Sequence, residues 1–424
     1  MIKDNAIINI TVVGVPEDGC LSLTSRAVNA VAKARVVAGH PRHRAWFPQF
    51  TGTFLDMSLG FSGWLNEVID ESEESGVVIL ASGDPLFFGI GTTLLKRVDP
   101  QSLSFIPSLS SAQLAFSRLN LPWNDARFLS CHGRALSGLV SRMQQGDLFA
   151  ILTDYKNTPQ VLAQNLALFN ESHWRLSVCE QLGGTAEAIR SFSVAELAVS
   201  DIEFDKLNVV VAQRTSPLRW GGNGQFSSDQ RFLKRMPQKG LITKQAVRHL
   251  VLTTLRIQAD QTVWDIGAGS GSVAIESAKM AWNGQVFAIE CNEPCFQCIS
   301  ENIQAHGTDN ITLIKGKAPD SLTDLPDPDA IFIGGSRGQM DAILSTAWQR
   351  LNYNGRLVVS AVTIDTVVEV YQWAKVHQLD LDTQVVNISQ TQPLAHYQRY
   401  QAENPIHLFS LIKNQQSVGV THEQ

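Results

Sequence analysis

The sequence predicts an α/β protein in two domains. Three observations carry this. Short apolar, β-branched runs alternate with segments of helical period along most of the chain. One such run, Val263-Trp264-Asp265-Ile266, turns through Gly267-Ala268-Gly269-Ser270-Gly271 into the helical stretch Ser272–Met280. Between about Gln213 and Gln238 the alternation gives way to polar sequence rich in Gly and Ser, the composition of a linker.

The elements follow in order. Ile7–Val13 is apolar and β-branched and reads as a strand; Gly14-Val15-Pro16-Glu17-Asp18-Gly19 after it reads as a turn-rich loop. Thr24–Ala34 has helical period, with Thr24 or Ser22 available as its cap. Strands are expected at Arg35–Ala38, Val77–Ala81, Leu103–Ile106, Leu148–Thr153 and Leu207–Ala212. The domain bounds are placed at 1–214 and 237–424, with a linker at 215–236. Past the linker, Gly240-Leu241-Ile242-Thr243-Lys244 leads into a helix at Gln245–Arg256. Strands follow at Thr262–Ile266, Val286–Ile289, Ile311–Lys315, Ala330–Gly334 and Gly355–Ala361, and a hairpin region, Asp382–Gln390 with Ile406–Ile412, is expected to finish the sheet. In such sheets ligands bind beyond the carboxyl ends of the strands.

Composition narrows the function. Hydrophobic residues make up 44% of the 424 and charged residues 17%, so the chain is globular with ample core. A net charge of −6 argues against a nucleic-acid partner, because no broad basic face is implied. A small anionic substrate needs only a local group of Arg and Lys. No export signal and no apolar stretch of membrane-spanning length stand out, so no membrane partner is expected. Six cysteines in a chain of this length are then expected as reduced thiols, and the expected location is the cytoplasm.

The glycine-rich turn carries the most specific chemistry. Glycines let the backbone turn tightly and approach a ligand, and the helix start offers unpaired N–H groups. A dinucleotide fingerprint needs G-x-G-x-x-G/A, but Gly267 and Gly269 are followed by Ser272 at the third position. The alternative, acidic-x-G-x-G-x-G, is met at Asp265, Gly267, Gly269 and Gly271. It resembles the first motif of S-adenosylmethionine-dependent methyltransferases. Glu290, closing the next strand, is placed to accept hydrogen bonds from both ribose hydroxyls. Just after it, Cys291, Cys295 and Cys298 have the C-x3-C-x2-C spacing of a radical S-adenosylmethionine enzyme's iron–sulfur cluster. The competing reading is a helix, Pro294–Ile303, on which Cys295 and Cys298 share one face as small apolar groups.

The first half resembles the tetrapyrrole (corrin/porphyrin) methylase family. The resemblance rests on Val13-Gly14, Leu23-Thr24, Ala38-Gly39-His40-Pro41-Arg42-His43, Leu80-Ala81-Ser82-Gly83-Asp84-Pro85-Leu86-Phe87-Phe88-Gly89-Ile90-Gly91, Ile106-Pro107-Ser108-Leu109-Ser110-Ser111-Ala112, and Leu129-Ser130-Cys131-His132-Gly133-Arg134. The family's first loop commonly has more glycines than residues 14–19, and this form looks like the C5-methylating branch of the cobalamin pathway. The second half resembles that pathway's C15-methylating, decarboxylating branch, through Ile242-Thr243-Lys244, Asp265–Gly271, Glu290, Gly316-Lys317-Ala318-Pro319 and Ile333-Gly334-Gly335-Ser336-Arg337-Gly338.

The resemblance implies an N-terminal tetrapyrrole-methylase α/β domain followed by a Rossmann-like class I methyltransferase domain. It implies methylation of precorrin-6Y at C5 and C15 with decarboxylation of the C12 acetate side chain, giving precorrin-8X. The implied cofactor is S-adenosyl-L-methionine at two sites per chain, with no metal; the implied partners are a precorrin-type tetrapyrrole and further copies of the chain, a homo-oligomer. Cofactor contacts are implied at Gly83, Asp84, Pro85, Gly89, Ser110, Ser111, Thr243, Asp265, Gly267, Ala268, Gly269, Ser270, Gly271, Glu290 and Ala318. Candidates for holding substrate carboxylates are His132, Arg134, Lys244, Lys317 and Arg337. Plainer roles stay open for several: a turn at Asp84-Pro85, a helix cap at Thr243, solvated loop charges at His132, Arg134, Lys317 and Arg337. A radical enzyme and a tetrapyrrole-binding module without turnover remain as other functions.

Overall fold

The structure, a computed structural model, describes residues 9–234 and 242–414. The expected strand start at Ile7, the second-domain start at 237, Gly240, Leu241 and the end at 424 lie outside the described residues. The chain divides into two compact units that interleave along it. One comprises residues up to Arg134 with Leu148–Val161 and Arg175–Arg214; the other comprises Ala135–Asp147, Leu162–Trp174 and Thr215 onward.

In the first unit, strands β1 (Ile10–Val15), β2 (Val36–Gly39), β3 (Thr53–Asp56), β4 (Val77–Ser82) and β5 (Leu103–Ile106) form a parallel sheet in the order β3-β2-β4-β1-β5. Side chains alternate between two cores: Ile10, Val12 and Ile79 pack on one face, Val13, Val15 and Leu80 on the other. A parallel sheet covered on both faces needs strands that are apolar throughout, which is why Val77–Ala81 reads as a continuous apolar run. The helix Ser25–Lys33 starts at Thr24, whose hydroxyl accepts from the Ala27 N–H at 3.2 Å, as its sequence predicts. A second sheet holds β6 (Arg127–Ser130), β7 (Leu148–Leu152), β8 (Trp174–Glu180), β9 (Ala188–Ser193) and β10 (Asn208–Arg214), in the order β6-β7-β10-β8-β9.

The second unit is built on β11 (Thr262–Ile266), β12 (Gln285–Glu290), β13 (Ile311–Lys315), β14 (Ala330–Ile333), β15 (Arg356–Ala361), β16 (Asp382–Val386), β17 (Ser389–Leu394), β18 (Tyr397–Ala402) and β19 (Ile406–Ile412). Seven of them form a sheet ordered β13-β12-β11-β14-β15-β19-β16, with β19 antiparallel to both neighbours. Val263, Val286 and Phe332 face one core, and Trp264, Ile266 and Ile331 the other. The expected hairpin region is only partly right: β16 and β19 finish the sheet, but Ser389 and Gln390 belong to β17. That strand pairs with β18 in a separate ribbon whose twelve residues are all exposed.

Residues 215–234, expected as a linker, carry buried side chains. Trp220, Ser227 and Phe232 are each less than 5% exposed, and Phe232 joins the core. The fully buried Arg248 gives Nη1 to Asp229 at 3.0 Å and Nη2 to the Ser227 carbonyl at 2.6 Å, with Nε 2.8 Å from Glu276 Oε2. Glu276 Oε1 accepts from the Ser227 N–H at 2.9 Å, and Lys279 Nζ donates to the Gly224 carbonyl at 2.7 Å. The Gly-rich composition reports left-handed turns at Gly221, Gly222 and Gly224, not solvent exposure. Within the same unit, Asp309 accepts from the Val140 and Ser141 N–H groups and from the Ser141 hydroxyl, each at 2.8 Å.

Candidate functional site

In the second unit the site grows from the end of β11. The chain leaves Ile266 through Gly267, Gly269 and Gly271, all at positive φ, and enters the helix Ser272–Met280. A Cβ on Gly267 would lie 2.9 Å from the Gly335 nitrogen, so only glycine permits the loops after β11 and β14 to pack this closely. Asp265 is 1% exposed, and its Oδ2 accepts from the Ala274 N–H at 2.8 Å, tying the strand end to the first turn of the helix. Oδ1 has no partner. Burial, with a smaller contribution from the Glu290 charge, pushes the Asp265 carboxyl up to about 7 against the opposing Ala274 bond.

Glu290 ends the neighbouring strand and organises the rim. Its Oε2 accepts from the Gly269 N–H at 2.8 Å, and Oε1 accepts from Cys291 and Asn292 N–H groups at 2.9 and 2.7 Å. A carboxylate has about four acceptor positions. Three are taken, which leaves room for one ribose hydroxyl rather than the expected two.

A cleft opens at these strand ends. Gly267, Gly269, Glu290, Lys317, Ala318 and Arg337 line it, so the structure brings these expected residues together. Asp265, Ala268, Ser270, Gly271, Thr243 and Lys244 do not line it. Asp265 lies beneath the loop, and the Ser270 carbonyl is held by Asn302 Nδ2 at 2.9 Å. The cap position of the helix Gln245–Leu255 is Lys244, without a side-chain cap bond, so Thr243 is not its cap; the Thr243 carbonyl accepts from Arg248 instead. Lys317 and Arg337 are exposed, and Arg337 sits at φ 51° in the loop after β14.

The three cysteines follow the helix reading. Cys295 and Cys298 lie on the helix Glu293–Ala305, and Cys295 is 2% exposed in the core. Among the described residues no group of three His, Cys, Asp or Glu side chains could hold a metal ion. The spacing arises because a helix starts directly after the acidic strand end.

In the first unit, three strand ends meet. The Gly83 N–H donates to the Val15 carbonyl at 2.9 Å, and a Cβ on Gly14 would lie 2.8 Å from the Ser108 nitrogen. Asp84 Oδ1 accepts from the Leu86 N–H at 2.8 Å, and the Gly91 N–H donates to the Pro85 carbonyl at 2.9 Å. A Cβ on Gly89 would lie 3.0 Å from the Pro85 carbonyl carbon. Ser110 caps the helix Ser111–Arg118 in a capping box with Gln113. The Asp84 and Ser110 side chains are thus engaged in their own turns, while Leu86, Phe88 and Leu109 of these loops are exposed. His132 and Arg134 are exposed on the loop after β6, where the His132 ring lies 3.3 Å from the Thr153 carbonyl.

One group beside the Gly83 loop has no role in the sequence reading: Glu17, Arg42, His43 and Ser82. Arg42 Nη2 donates to Ser82 Oγ at 2.7 Å and lies 3.1 Å from Glu17 Oε1, while Arg42 Nε donates to His43 Nε2 at 3.2 Å. The signal was in the sequence, since Arg42 and His43 follow a strand end, but their pairing across strands was not.

The comparisons agree with this layout. Residues 9–198 match the family of tetrapyrrole (corrin/porphyrin) methylases, and residues 235–413 match the precorrin methyltransferase domain. A Sinorhizobium protein, precorrin-6Y C(5,15)-methyltransferase (decarboxylating), is 34% identical over 84% of this chain and 85% of its own length. The chain belongs to the precorrin-6Y C(5,15)-methyltransferase (decarboxylating) family. Members join two activities that occur apart elsewhere. The cobalt-precorrin-7 C(5)-methyltransferase of Salmonella typhimurium is 32% identical over 48% of this chain and 97% of its own length. A probable cobalt-precorrin-6B C(15)-methyltransferase (decarboxylating) of Methanothermobacter thermautotrophicus is 30% identical over 46% of this chain and 97% of its own. The precorrin-6Y C(5,15)-methyltransferase family is one of methyltransferases with decarboxylating activity, which use S-adenosylmethionine. Among the described residues no helix is long and apolar enough to cross a membrane.

Proposed function

We propose that this chain methylates precorrin-6Y at C5 with residues 1–214 and at C15 with residues 237–424, the latter with loss of the C12 acetate carboxylate as carbon dioxide, to give precorrin-8X in the cytoplasm. The observation that carries the second reaction is the cleft where Gly267, Gly269 and Glu290 face Lys317 and Arg337. It fits S-adenosylmethionine: two glycines whose backbone lines the cleft without a side chain, and a strand-end carboxylate with one acceptor position open. When bound, that cofactor supplies an electrophilic methyl on a sulfonium. The protein's own work is to position the ring and keep water away. Glu290 orients the ribose, and the loop backbone leaves space for the cofactor. Loss of the carboxylate needs an electron sink, which protonated imine nitrogens of the macrocycle supply. In the first half, Gly83, Pro85, Gly89 and the neighbouring backbone hold the second cofactor, and His132 and Arg134 face the substrate.

We place two S-adenosylmethionine sites on each chain and more than one chain in the assembly. Support for the latter is the exposed ribbon, where Leu394, Tyr397 and Tyr400 are 52, 75 and 79% exposed. Calorimetry is expected to give two sites per chain, and light scattering on that sample a mass above one chain. With the reduced precorrin, mass spectrometry is expected to show two methyl additions and one loss of carbon dioxide. One cofactor site, a monomer, or a product lacking either mass change removes the corresponding part.

Substrate affinity must come from close contacts, because a net charge of −6 provides no long-range attraction for a polycarboxylate. Arg337→Ala is expected to weaken tetrapyrrole binding in the second half and leave S-adenosylmethionine binding nearly intact. Arg337→Lys recovers only part, since Lys lacks the two-pronged contact. Wild-type substrate affinity in the Ala variant makes Arg337 a solvated loop charge.

A further inference from the structure

We infer that Glu17 is the proton acceptor of the methyl transfer in the first half, held in place by Arg42 through Ser82 and His43. The inference rests on the proposed function, in which a ring-bridge carbon exchanges a hydrogen for a methyl group. That exchange must release a proton. The ring's π electrons form the new C–CH3 bond, and the S–CH3 bond breaks with its pair left on sulfur. The C–H pair then returns to the ring, and the proton goes to a base. The donor brings one positive charge and leaves neutral, so one proton appears per transfer, and a carboxylate placed at the ring can take it.

Four residues from three neighbouring strand ends converge where such a base belongs. Glu17 follows β1, Arg42 and His43 follow β2, and Ser82 ends β4; these strands lie side by side in the sheet as β2-β4-β1. Ser82 directly precedes Gly83 of the cofactor loop. The orientation of Arg42 is fixed by its chemistry. An arginine can only donate, so the 3.2 Å contact from its Nε makes His43 Nε2 an acceptor and the imidazole neutral. Burial, then the charges of Arg42 and His40, pull His43 down to about 4, so the ring stays neutral near pH 7. His43 is 2% exposed and packs on Trp46 at a ring distance of 5.0 Å, which makes it a rigid support.

Arg42 in turn fixes Glu17. Its Nη2 is 2.7 Å from Ser82 Oγ and 3.1 Å from Glu17 Oε1. The Glu17 side chain is 22% exposed, so it is open to a ligand beside the loop. The neighbouring acid, Asp18, is otherwise engaged, since its Oδ2 accepts from the Ser22 hydroxyl within the loop. The arrangement is a base oriented by a second group that is itself oriented by a third. Arg42, His43 and Ser82 are positioning residues.

Two measurements on the full chain test this. In deuterated water with the reduced precorrin and no methyl donor, the wild type is expected to speed deuterium uptake at the C5 bridge carbon, with Glu17→Gln inactive and Glu17→Asp intermediate. With S-adenosylmethionine present, Glu17→Gln is expected to lower kcat for the first-half transfer by about 100-fold or more while KM stays near wild type. Thermal melting and a cofactor stoichiometry equal to wild type establish that the variant is folded. No bridge exchange in the wild type, equal exchange in Glu17→Gln, or a loss confined to KM overturns the assignment. Failure of the proposed function is distinct: the wild type then adds no methyl group to the tetrapyrrole at all.

Discussion

Glu290→Ala is expected to abolish methylation at C15 and the accompanying decarboxylation while methylation at C5 continues. In the structure the carboxylate gathers the N–H groups of Gly269, Cys291 and Asn292. In the proposed function its remaining acceptor position takes the ribose of the cofactor. Its loss leaves three backbone donors without their acceptor and removes a charge-assisted bond to the ribose. The combined cost is on the order of 2–4 kcal/mol in cofactor binding, or roughly 30-fold or more in affinity. Glu290→Gln keeps an acceptor oxygen for the backbone but not the charge, and is expected to fall between. Calorimetry on the second site, with product mass as the activity readout, decides it. Unchanged affinity in Glu290→Ala reduces Glu290 to a support of the loop.

The largest loss of stability is expected from Glu276→Ala. Arg248 and Glu276 are both fully buried and 2.8 Å apart. Replacing Glu276 leaves a buried cation with Asp229 as its remaining acidic partner, and leaves the Ser227 N–H without its acceptor. Lys279, already pushed down to about 7 by burial, loses the carboxylate that partly offsets that push. Breaking a buried pair from one side costs about 3–5 kcal/mol. With a urea slope of about 1–3 kcal/mol per M, the midpoint of the unfolding step that includes the second unit moves down by at least roughly 1 M. A midpoint at the wild-type value shows that the segment holding Ser227 and Asp229 is not secured by these charges.

The central strands were legible because a sheet buried on both faces leaves little choice of residue. Val77–Ala81, Thr262–Ile266 and Val286–Ile289 stand out for that reason. The short or half-exposed strands β3, β6 and β9 carry polar residues among their apolar ones and give no such run, and in the buried strand β8 Arg175, Ser177 and Glu180 interrupt it. The cleft of the second unit was legible because its wall follows chain order: Gly267 and Gly269, then Glu290, then Lys317 and Arg337, each after a successive strand end. Glu17, Arg42, His43 and Ser82 were not, since their contacts join residues up to 40 positions apart and depend on which strands are neighbours. Segment 215–234 was misread for a different reason. Glycine and serine mark where a backbone turns, and they say nothing about whether Trp220 and Phe232 between them are covered.

The bonds of Asp309 to Val140 and Ser141 set a schedule for the nascent chain. Ser141 and Asp309 are 168 positions apart. At about 5–20 residues per second, roughly 10–30 s of synthesis separate the helix Leu139–Met143 from the acceptor of its first N–H groups. Through that interval the helix has its apolar face made and its partner not yet translated. Completion of the second unit therefore waits on the late arrival of Asp309, and the earlier half spends its youth on the ribosome with a part that belongs to its successor.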